Sequence, residues 1–342
     1  MIPVFFGLEG HALTEAERDL FRATDPAGYI LFQRNCADPE QVKALTDDLK
    51  ALSGRGEALP ILIDQEGGRV ARLKPPHWPE FPAAKAFADL WEVSPVSAMD
   101  AARLNARAIA EVVRGAGVTV DCLPVLDVPV EGAHDVIGDR AYGFEPNKVA
   151  ALGKATLEGL RDGGIVGVIK HIPGHGRARA DSHLELPVVD DPLEALSQDF
   201  APFAKLADAP MAMTAHVVYT AIDPTRCATL SPKVIGEVIR GRIGFSGLLM
   251  SDDINMKALT GTYAEKALGC LEAGCDVVLH CSGDLAEMRE VAACLPEISA
   301  EAKARLEAAM GWAMNRAASG AAAEEALIAD LSAKRDALLA LA

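Results

Sequence analysis

One segment of the chain concentrates side chains that can move protons. It reads KHIPGHG from Lys170 to Gly176, and Asp181 and His183 follow it closely. Because Asp181 and His183 are two positions apart, an extended backbone places both side chains on one side of the chain. A carboxylate beside an imidazole orients the ring and favours its charged form. The pair predicts a proton donor, His183, with Asp181 as its partner, and the simpler alternative is a loop histidine held by a local aspartate.

The same segment also suggests a metal site. His171 and His175 are four residues apart, which is the spacing of two ligands on a metal-binding helix. Pro173 and Gly174 lie between them, however, and proline breaks a helix. The spacing therefore loses its geometric meaning, and we expect no metal ion and no other cofactor.

A second segment delivers carboxylates to the end of an apolar run. It reads GLLMSDD from Gly247 to Asp253. An ionised Asp252 at the end of a strand could attack an anomeric carbon and form a covalent intermediate. The alternative is that Asp252 and Asp253 only cap the helix that follows.

Eight short apolar runs alternate with longer helical patterns along the 342 residues. The runs are nearly continuous in apolar residues, as strands buried on both faces require. Strands alternating with helices at this chain length predict an α/β fold, a single (β/α)8 TIM-type barrel. An open, doubly wound sheet is the alternative. The predicted strands span residues 4–7, 28–33, 60–63, 119–126, 166–169, 211–215, 247–251 and 276–280.

Helix-capping patterns mark several of the connecting segments. Thr14 and Glu17 have the spacing of a capping box. Asp191 and Ser231 are each followed by proline, which predicts an N-cap and a proline in the first helical position. Residues 94–113 have helical spacing and end before a pair of glycines.

The C-terminal part of the chain lacks a further strand pattern. Residues 300–342 are rich in Ala, Glu, Leu, Lys and Arg and predict two helices, broken around Ser319 and Gly320. No long Pro-, Gly- or Ser-rich linker divides the sequence. We therefore expect one domain over residues 1–342, with a helical extension from about 298 to 342.

Polar residues gather where the apolar runs end. In these barrels the active site lies at the C-terminal ends of the strands. A polar residue after a single strand could simply mark the end of that strand. Ionisable groups after six of the eight apolar runs instead predict one functional cleft. The residues in these positions are Asp64, Asp127, Lys170, His171, His216, Asp252, Asp253 and His280.

Composition narrows the range of partners and compartments. The formal net charge of −16 disfavours nucleic acids and anionic membranes, because both bind clustered Lys and Arg. No segment reaches the roughly 18–20 apolar residues that span a bilayer, and the first residues do not have the pattern of a signal peptide. The seven cysteines are odd in number and without C-x-x-C spacing, which disfavours a disulfide framework and favours the cytoplasm.

An ordered set of motifs resembles glycoside hydrolase family 3. The set includes KHIPGHG, DSH at 181–183 and SDD at 251–253. Within the family, the chain is most similar to the cytoplasmic single-domain β-N-acetylhexosaminidases of bacterial peptidoglycan recycling. The resemblance runs from about residue 7 to residue 283. Further matching motifs are DQEGGRVARL at 64–73, PVLDV at 124–128, VIGDRAYG at 136–143 and TAHVVY at 214–219.

This resemblance implies a role for eight residues. It makes Asp252 the nucleophile, and His183 the general acid and base, assisted by Asp181. The other five would bind the sugar, and charged, bidentate partners suit hydroxyl groups. These five are Asp64, Arg72, Arg140, Lys170 and His171.

The resemblance also implies an activity without a cofactor. We expect a retaining hydrolase that removes terminal, non-reducing β-N-acetylglucosamine from a small carbohydrate substrate, namely muropeptides that carry 1,6-anhydro-N-acetylmuramic acid. Three alternatives remain: a phosphorylase that passes the sugar to phosphate, a metal-dependent hydrolase that uses His171, His175 and His183, and a non-catalytic sugar-binding barrel. An intact Asp252 and His183 argue against the last of these, because a binding module needs no nucleophile.

Overall fold

Eight parallel strands close into a barrel in the computed structural model, which describes residues 1–182, 184–313 and 321–342. The last strand pairs with the first, for example through Val278 and Val4. This closure confirms the TIM-type barrel and excludes an open sheet. The barrel strands are β1 (Ile2–Gly7), β2 (Pro26–Leu31), β3 (Ile61–Ile63), β4 (Val120–Asp121), β5 (Val166–Ile172), β7 (Met211–Thr214), β9 (Leu248–Asp253) and β10 (Val277–His280).

Three strands differ from their predicted bounds in ways that affect the site. β5 and β9 extend further than predicted, so that Lys170, His171 and Asp252 belong to strands rather than to the loops after them. β4 is much shorter than predicted, because the Leu123 N–H donates locally to Asp121 O at 2.8 Å and Pro124, which follows, has no N–H to continue the ladder. Two short strands that were not predicted, β6 (Val188–Val189) and β8 (Val218–Tyr219), pair beside the barrel.

Helices surround the barrel, and their starts follow the local sequence in most places. Thr14 forms the predicted capping box with Glu17, and Ser94 caps the long helix that follows it. The α-helices are α1 (Glu15–Thr24), α2 (Pro39–Ser53), α3 (Ala84–Val93), α4 (Pro95–Gly115), α5 (Pro146–Asp162), α6 (Leu193–Lys205), α7 (Tyr263–Ala273), α8 (Leu285–Cys294), α9 (Ala300–Gly311) and α10 (Ala321–Leu339), and a π-helix spans Val234–Arg242.

One predicted cap is wrong and another is confirmed. Asp191 does not cap α6, whose N-cap position is Pro192. Its carboxylate instead pairs with Arg177, at 3.2 Å between Oδ1 and Nη1, so a tertiary contact outcompetes the local one. Ser231 does accept a hydrogen bond from the Val234 N–H, at 3.1 Å, although a π-helix follows it.

The C-terminal helices pack against the barrel. Leu306 and Met310 of α9 join the cluster of side chains that fills the barrel interior, at the end where the strands begin. Helix α10 packs along α4, and Arg335 donates a hydrogen bond to Asn105 across this contact, at 2.9 Å. The predicted break at Ser319 and Gly320 lies outside the described residues. Among the helices that the structure describes, none has both the length and the apolar character needed to cross a membrane.

Candidate active site

Seven of the eight predicted site residues line one cavity of about 380 Å³, here called the mouth cavity. It lies at the end of the barrel where the strands terminate, as the sequence analysis predicted for the functional cleft. The eighth residue, His183, is outside the described residues. The seven residues are Asp64, Arg72, Arg140, Lys170, His171, Asp181 and Asp252.

Asp64 is held between two cations. It directly follows β3, and its two carboxylate oxygens accept hydrogen bonds from Lys170 Nζ and from Arg72 Nη2, each at 2.9 Å. Burial by itself would raise the pKa of this carboxyl, but the charges of Lys170 and Arg72 outweigh burial and hold the pKa well below its usual range. Asp64 is therefore a carboxylate at any physiological pH.

Glu66 is a site residue that the sequence analysis missed. Its Oε1 lies 2.7 Å from Lys170 Nζ, and its two oxygens accept from Arg140 Nη2 and Nε, each at 2.8 Å. Burial by itself would raise the pKa of Glu66, but the charges of Lys170 and Arg140 outweigh burial and lower the pKa to about 2. A sequence signal was present, because Glu66 stands two positions after Asp64 and an extended chain puts both on one side.

These contacts form a continuous row of five charged groups. In order, the row runs Arg72, Asp64, Lys170, Glu66 and Arg140. Lys170 is the central cation and is 2% exposed. Burial lowers its pKa, but the carboxylates of Asp64 and Glu66 raise it above the usual value. The row fixes charged donors and acceptors in the mouth cavity, which suits a ligand rich in hydroxyl groups.

Asp127 is the second residue at the site whose role was not predicted. It is fully buried, and its Oδ2 lies 2.6 Å from Nδ1 of His171. Its Oδ1 accepts the backbone N–H of His171 at 3.2 Å and that of His175 at 2.6 Å. Burial raises the pKa of Asp127, but the His171 ring outweighs burial and the pKa is lowered. One carboxylate thus holds both the ring and the backbone of the turn after β5.

His175 belongs to the wall behind the mouth cavity. It is 3% exposed, and its Nε2 lies 3.1 Å from Ser182 Oγ. Burial lowers its pKa to about 4, so the ring is neutral near pH 7. His171 lies in strand β5, so His171 and His175 are not on one helix. Across the described ranges, no three His, Cys, Asp or Glu side chains are arranged to hold a metal ion.

Gly176 packs so closely against the chain that a side chain cannot be added there. A Cβ at this position would overlap the carbonyl of Val128. We expect Gly176→Ala to lower the free energy of unfolding by about 1–3 kcal/mol, the usual cost of overpacking, and to reduce activity because the turn after β5 must move. Urea unfolding and kcat/KM measure both effects.

The matched control for this glycine is Gly236→Ala. A Cβ at Gly236 meets no atom within 4 Å. Alanine there should leave the protein unchanged or more stable by up to about 1 kcal/mol, because alanine favours a helix. Equal unfolding free energies for Gly176→Ala and the wild type would contradict the packing argument.

Asp252 projects from the end of β9 into the mouth cavity. Its backbone N–H donates to Thr214 Oγ1 at 3.3 Å, and its Oδ1 accepts the N–H of Asp253 at 2.8 Å. The alternative, that the two aspartates cap the next helix, is wrong. That helix, α7, begins at Tyr263 and is capped by Thr262.

The Asp253 side chain binds backbone N–H groups of nearby loops and does not cap a helix. Its Oδ1 accepts the backbone N–H of Asn255 at 3.0 Å and that of Cys281 at 3.1 Å. Burial raises its pKa to about 6, and the neighbouring charge of Asp252 adds to this effect. The Asp253 carboxyl group therefore takes up a proton at a higher pH than an ordinary aspartate does.

This raised pKa predicts a pH-dependent stability. The folded-state value lies above the unfolded one, so the favourable contribution is complete below the unfolded pKa and is lost as the pH rises through about 6. Asp253→Asn cannot ionise and keeps an oxygen for the two N–H groups. We expect it to be more stable than wild type by about 1–3 kcal/mol at about pH 8 and equal to it at about pH 4. Urea unfolding at both pH values tests this, and an equal difference at both would contradict it.

Asp181 reaches the mouth cavity from the segment that follows β5. One side-chain contact and one backbone contact hold this segment. Arg177 Nε lies 2.6 Å from Asp199 Oδ2, and Ser182 O accepts the N–H of Ala258 at 3.3 Å. The segment that carries Asp181 is thereby connected to both α6 and the loop after β9.

A carboxylate on a barrel strand, facing fixed groups that can bind hydroxyls, is the arrangement of a glycosidase. The chain matches the model of the family described as "Glycosyl hydrolase family 3 N terminal domain" over residues 7–311. The chain therefore belongs to glycoside hydrolase family 3 and is an enzyme of the β-hexosaminidase type.

Individual relatives match over nearly their whole length. The β-hexosaminidase of Aromatoleum aromaticum is 39% identical over 313 residues, which cover 90% of this chain and 86% of that protein. Native NagZ from Neisseria gonorrhoeae superposes with a TM-score of 0.86 at 33% identity, covering 99% of this chain and 97% of NagZ. NagZ from the same organism in complex with N-trifluoroacetyl-D-glucosamine gives 0.85 at 32% identity, with 99% and 97% covered.

Proposed function

We propose that this enzyme removes terminal, non-reducing β-linked N-acetylglucosamine from peptidoglycan fragments, namely muropeptides that carry 1,6-anhydro-N-acetylmuramic acid. The observation that carries the proposal is the mouth cavity. Asp252 lines this cavity together with a row of charged groups suited to a sugar. The kinship with β-hexosaminidases and with a NagZ that binds an N-acylated glucosamine supports an N-acetylated hexosamine as the sugar.

In the proposed mechanism the enzyme retains the anomeric configuration. Asp252 attacks the anomeric carbon and forms a covalent glycosyl-enzyme, while the leaving oxygen takes a proton from His183. Water then loses a proton to His183 and displaces Asp252, which gives the β-anomer of the free sugar. The role of His183 rests on the sequence resemblance, and the position of Asp181 in the mouth cavity is consistent with it.

The remaining residues would bind the terminal sugar. Asp64 and Lys170, fixed by their ion pair, would exchange hydrogen bonds with hydroxyl groups, and Arg72 and Arg140 would donate from either end of the row. His171 would add a ring nitrogen from the neighbouring position on β5. The groups are held before the substrate arrives, so binding costs little reorganisation.

We also propose that the enzyme is cytoplasmic and that the chain forms one catalytic domain. All seven cysteines are free thiols, which favours a reducing cytoplasm. Leu306 of α9 packs in the barrel interior, which favours residues 1–342 acting as one catalytic domain with its helical extension.

The test is hydrolysis of p-nitrophenyl β-N-acetylglucosaminide in EDTA without phosphate, with the first sugar product identified by proton NMR. We expect turnover and the β-anomer. An α-anomer would overturn the retaining mechanism. Turnover only with added phosphate, with sugar 1-phosphate as product, would replace the hydrolase with a phosphorylase, and preference for the β-glucoside would overturn the proposed sugar.

A further inference from the structure

The two ring nitrogens of His171 have different surroundings. Nδ1 faces Asp127 at 2.6 Å, inside the wall of the barrel. Within the part of the chain that the structure describes, Nε2 has no hydrogen-bond partner, and the residue lines the mouth cavity. We propose that Asp127 is a positioning residue that keeps the ring proton on Nδ1 of His171, so that Nε2 presents a lone pair to the substrate.

The hydrogen bonds around Asp127 assign the position of the proton. An ionised carboxylate only accepts hydrogen bonds. Its Oδ1 already accepts two backbone N–H groups, from His171 and His175, at 3.2 and 2.6 Å. Two backbone N–H donors on one oxygen of a buried carboxylate favour its charged form. The third donor must then be the N–H at Nδ1 of His171.

The position of the ring proton determines whether Nε2 of His171 can accept a hydrogen bond from the substrate. When the ring is neutral, a proton on Nδ1 makes Nε2 an acceptor. Lys170, the preceding residue, offers only donors to the mouth cavity, so the two neighbours would form complementary hydrogen bonds with one sugar. This part of the inference rests on the proposed function, since it takes the ligand to be a sugar hydroxyl. The position of the proton does not depend on it.

A purely structural role is the competing explanation, because Asp127 also holds the backbone of the turn. Asp127→Asn separates the two roles. The amide oxygen would remain opposite the two backbone N–H groups, while the amide NH₂ would face Nδ1. Nδ1 would then have to accept, and the neutral ring would carry its proton on Nε2, where the sugar needs an acceptor. The fold is kept and the tautomer is reversed.

The first measurement is the nitrogen chemical shifts of His171 in histidine-labelled protein in alkaline buffer, assigned with His171→Ala. We expect a proton on Nδ1 in the wild type and on Nε2 in Asp127→Asn. A proton on Nε2 in the wild type, or on Nδ1 in both proteins, would overturn the proposal. This readout needs no activity, so it remains informative if the enzyme proves not to act on N-acetylglucosaminides.

The second measurement is a double-mutant cycle on kcat/KM. We expect Asp127→Asn to lower kcat/KM by about ten- to hundredfold, the loss that follows when a polar contact is left without its partner. The same substitution in a His171→Ala background should change kcat/KM by less than about twofold, because Asp127 acts through that ring. An equal loss in both backgrounds would identify Asp127 as a support for the backbone only and overturn its role through His171.

Discussion

Asp252→Ala is expected to lower kcat/KM for a β-N-acetylglucosaminide by about 10⁴-fold or more, because it removes the proposed covalent nucleophile. The fold should survive. The hydrogen bond to Thr214 comes from the backbone of residue 252, and Asp252 lies at the mouth of the barrel rather than in its core. Steady-state kinetics and urea unfolding of the same preparation separate loss of chemistry from loss of structure.

Chemical rescue would identify the role of Asp252 more directly. Azide is a small anion that could enter the space left by the carboxylate and attack the anomeric carbon from the same face. Added azide should therefore restore part of the turnover and yield the α-glycosyl azide. Asp208→Ala is the matched control, since Asp208 is exposed and should leave kcat/KM unchanged. Activity of Asp252→Ala within tenfold of wild type would show that another group is the nucleophile.

Lys170→Met is expected to damage both binding and stability. It removes the buried cation shared by Asp64 and Glu66 and leaves each carboxylate with a single arginine. Breaking a buried ion pair from one side costs about 3–5 kcal/mol. Loss of a charged donor fixed in the site should lower kcat/KM by about 10²–10³-fold.

The stability loss should depend on pH in a defined direction. In the wild type the pKa values of Asp64 and Glu66 are lowered, so their contribution is present above the unfolded values of about 4 and is lost as the pH falls through the folded ones. Without Lys170 both pKa values rise. The deficit of Lys170→Met should therefore be largest near neutral pH and shrink towards about pH 4, as the carboxylates take up protons.

Urea unfolding at several pH values measures this deficit. Lys85→Met is the control, because Lys85 forms an exposed ion pair with Asp89 four residues along α3. Such pairs contribute about 0.3–0.5 kcal/mol. If Lys170→Met were as mild as this control, the row of charges would not be the stabilising element inferred from its geometry.

Much of the site could be predicted because its residues follow apolar runs. Lys170 and Asp252 stand at the ends of two such runs, and a parallel barrel brings all strand ends to one face. Seven predicted residues do line the mouth cavity. What could not be predicted is which of them pair. Glu66 and Arg140 are 74 residues apart in sequence, and Asp127 and His171 are 44 apart.

Local signals also failed where a distant residue competes for the same group. Asp191 precedes a proline and has the sequence pattern of an N-cap, but Arg177 binds its carboxylate. The shortness of β4, by contrast, could have been inferred from Pro124, since a missing N–H is a property of the residue itself. The pairing of Asp191 with Arg177 thus depends on the folded chain, whereas the missing N–H of Pro124 is a property of the sequence alone.

By itself, then, the sequence determined the existence and order of the eight barrel strands, several helix starts and the residue types available at the mouth of the barrel, because these depend on apolar periodicity and on chemistry within a few residues. The tertiary structure decided that Lys170 is shared by Asp64 and Glu66, and that Asp127 faces Nδ1 of His171. Those pairings depend on the register in which eight strands close. A nearly continuous apolar run that is buried on both faces does not specify its register, because a shift by one residue still leaves an apolar side chain on each face.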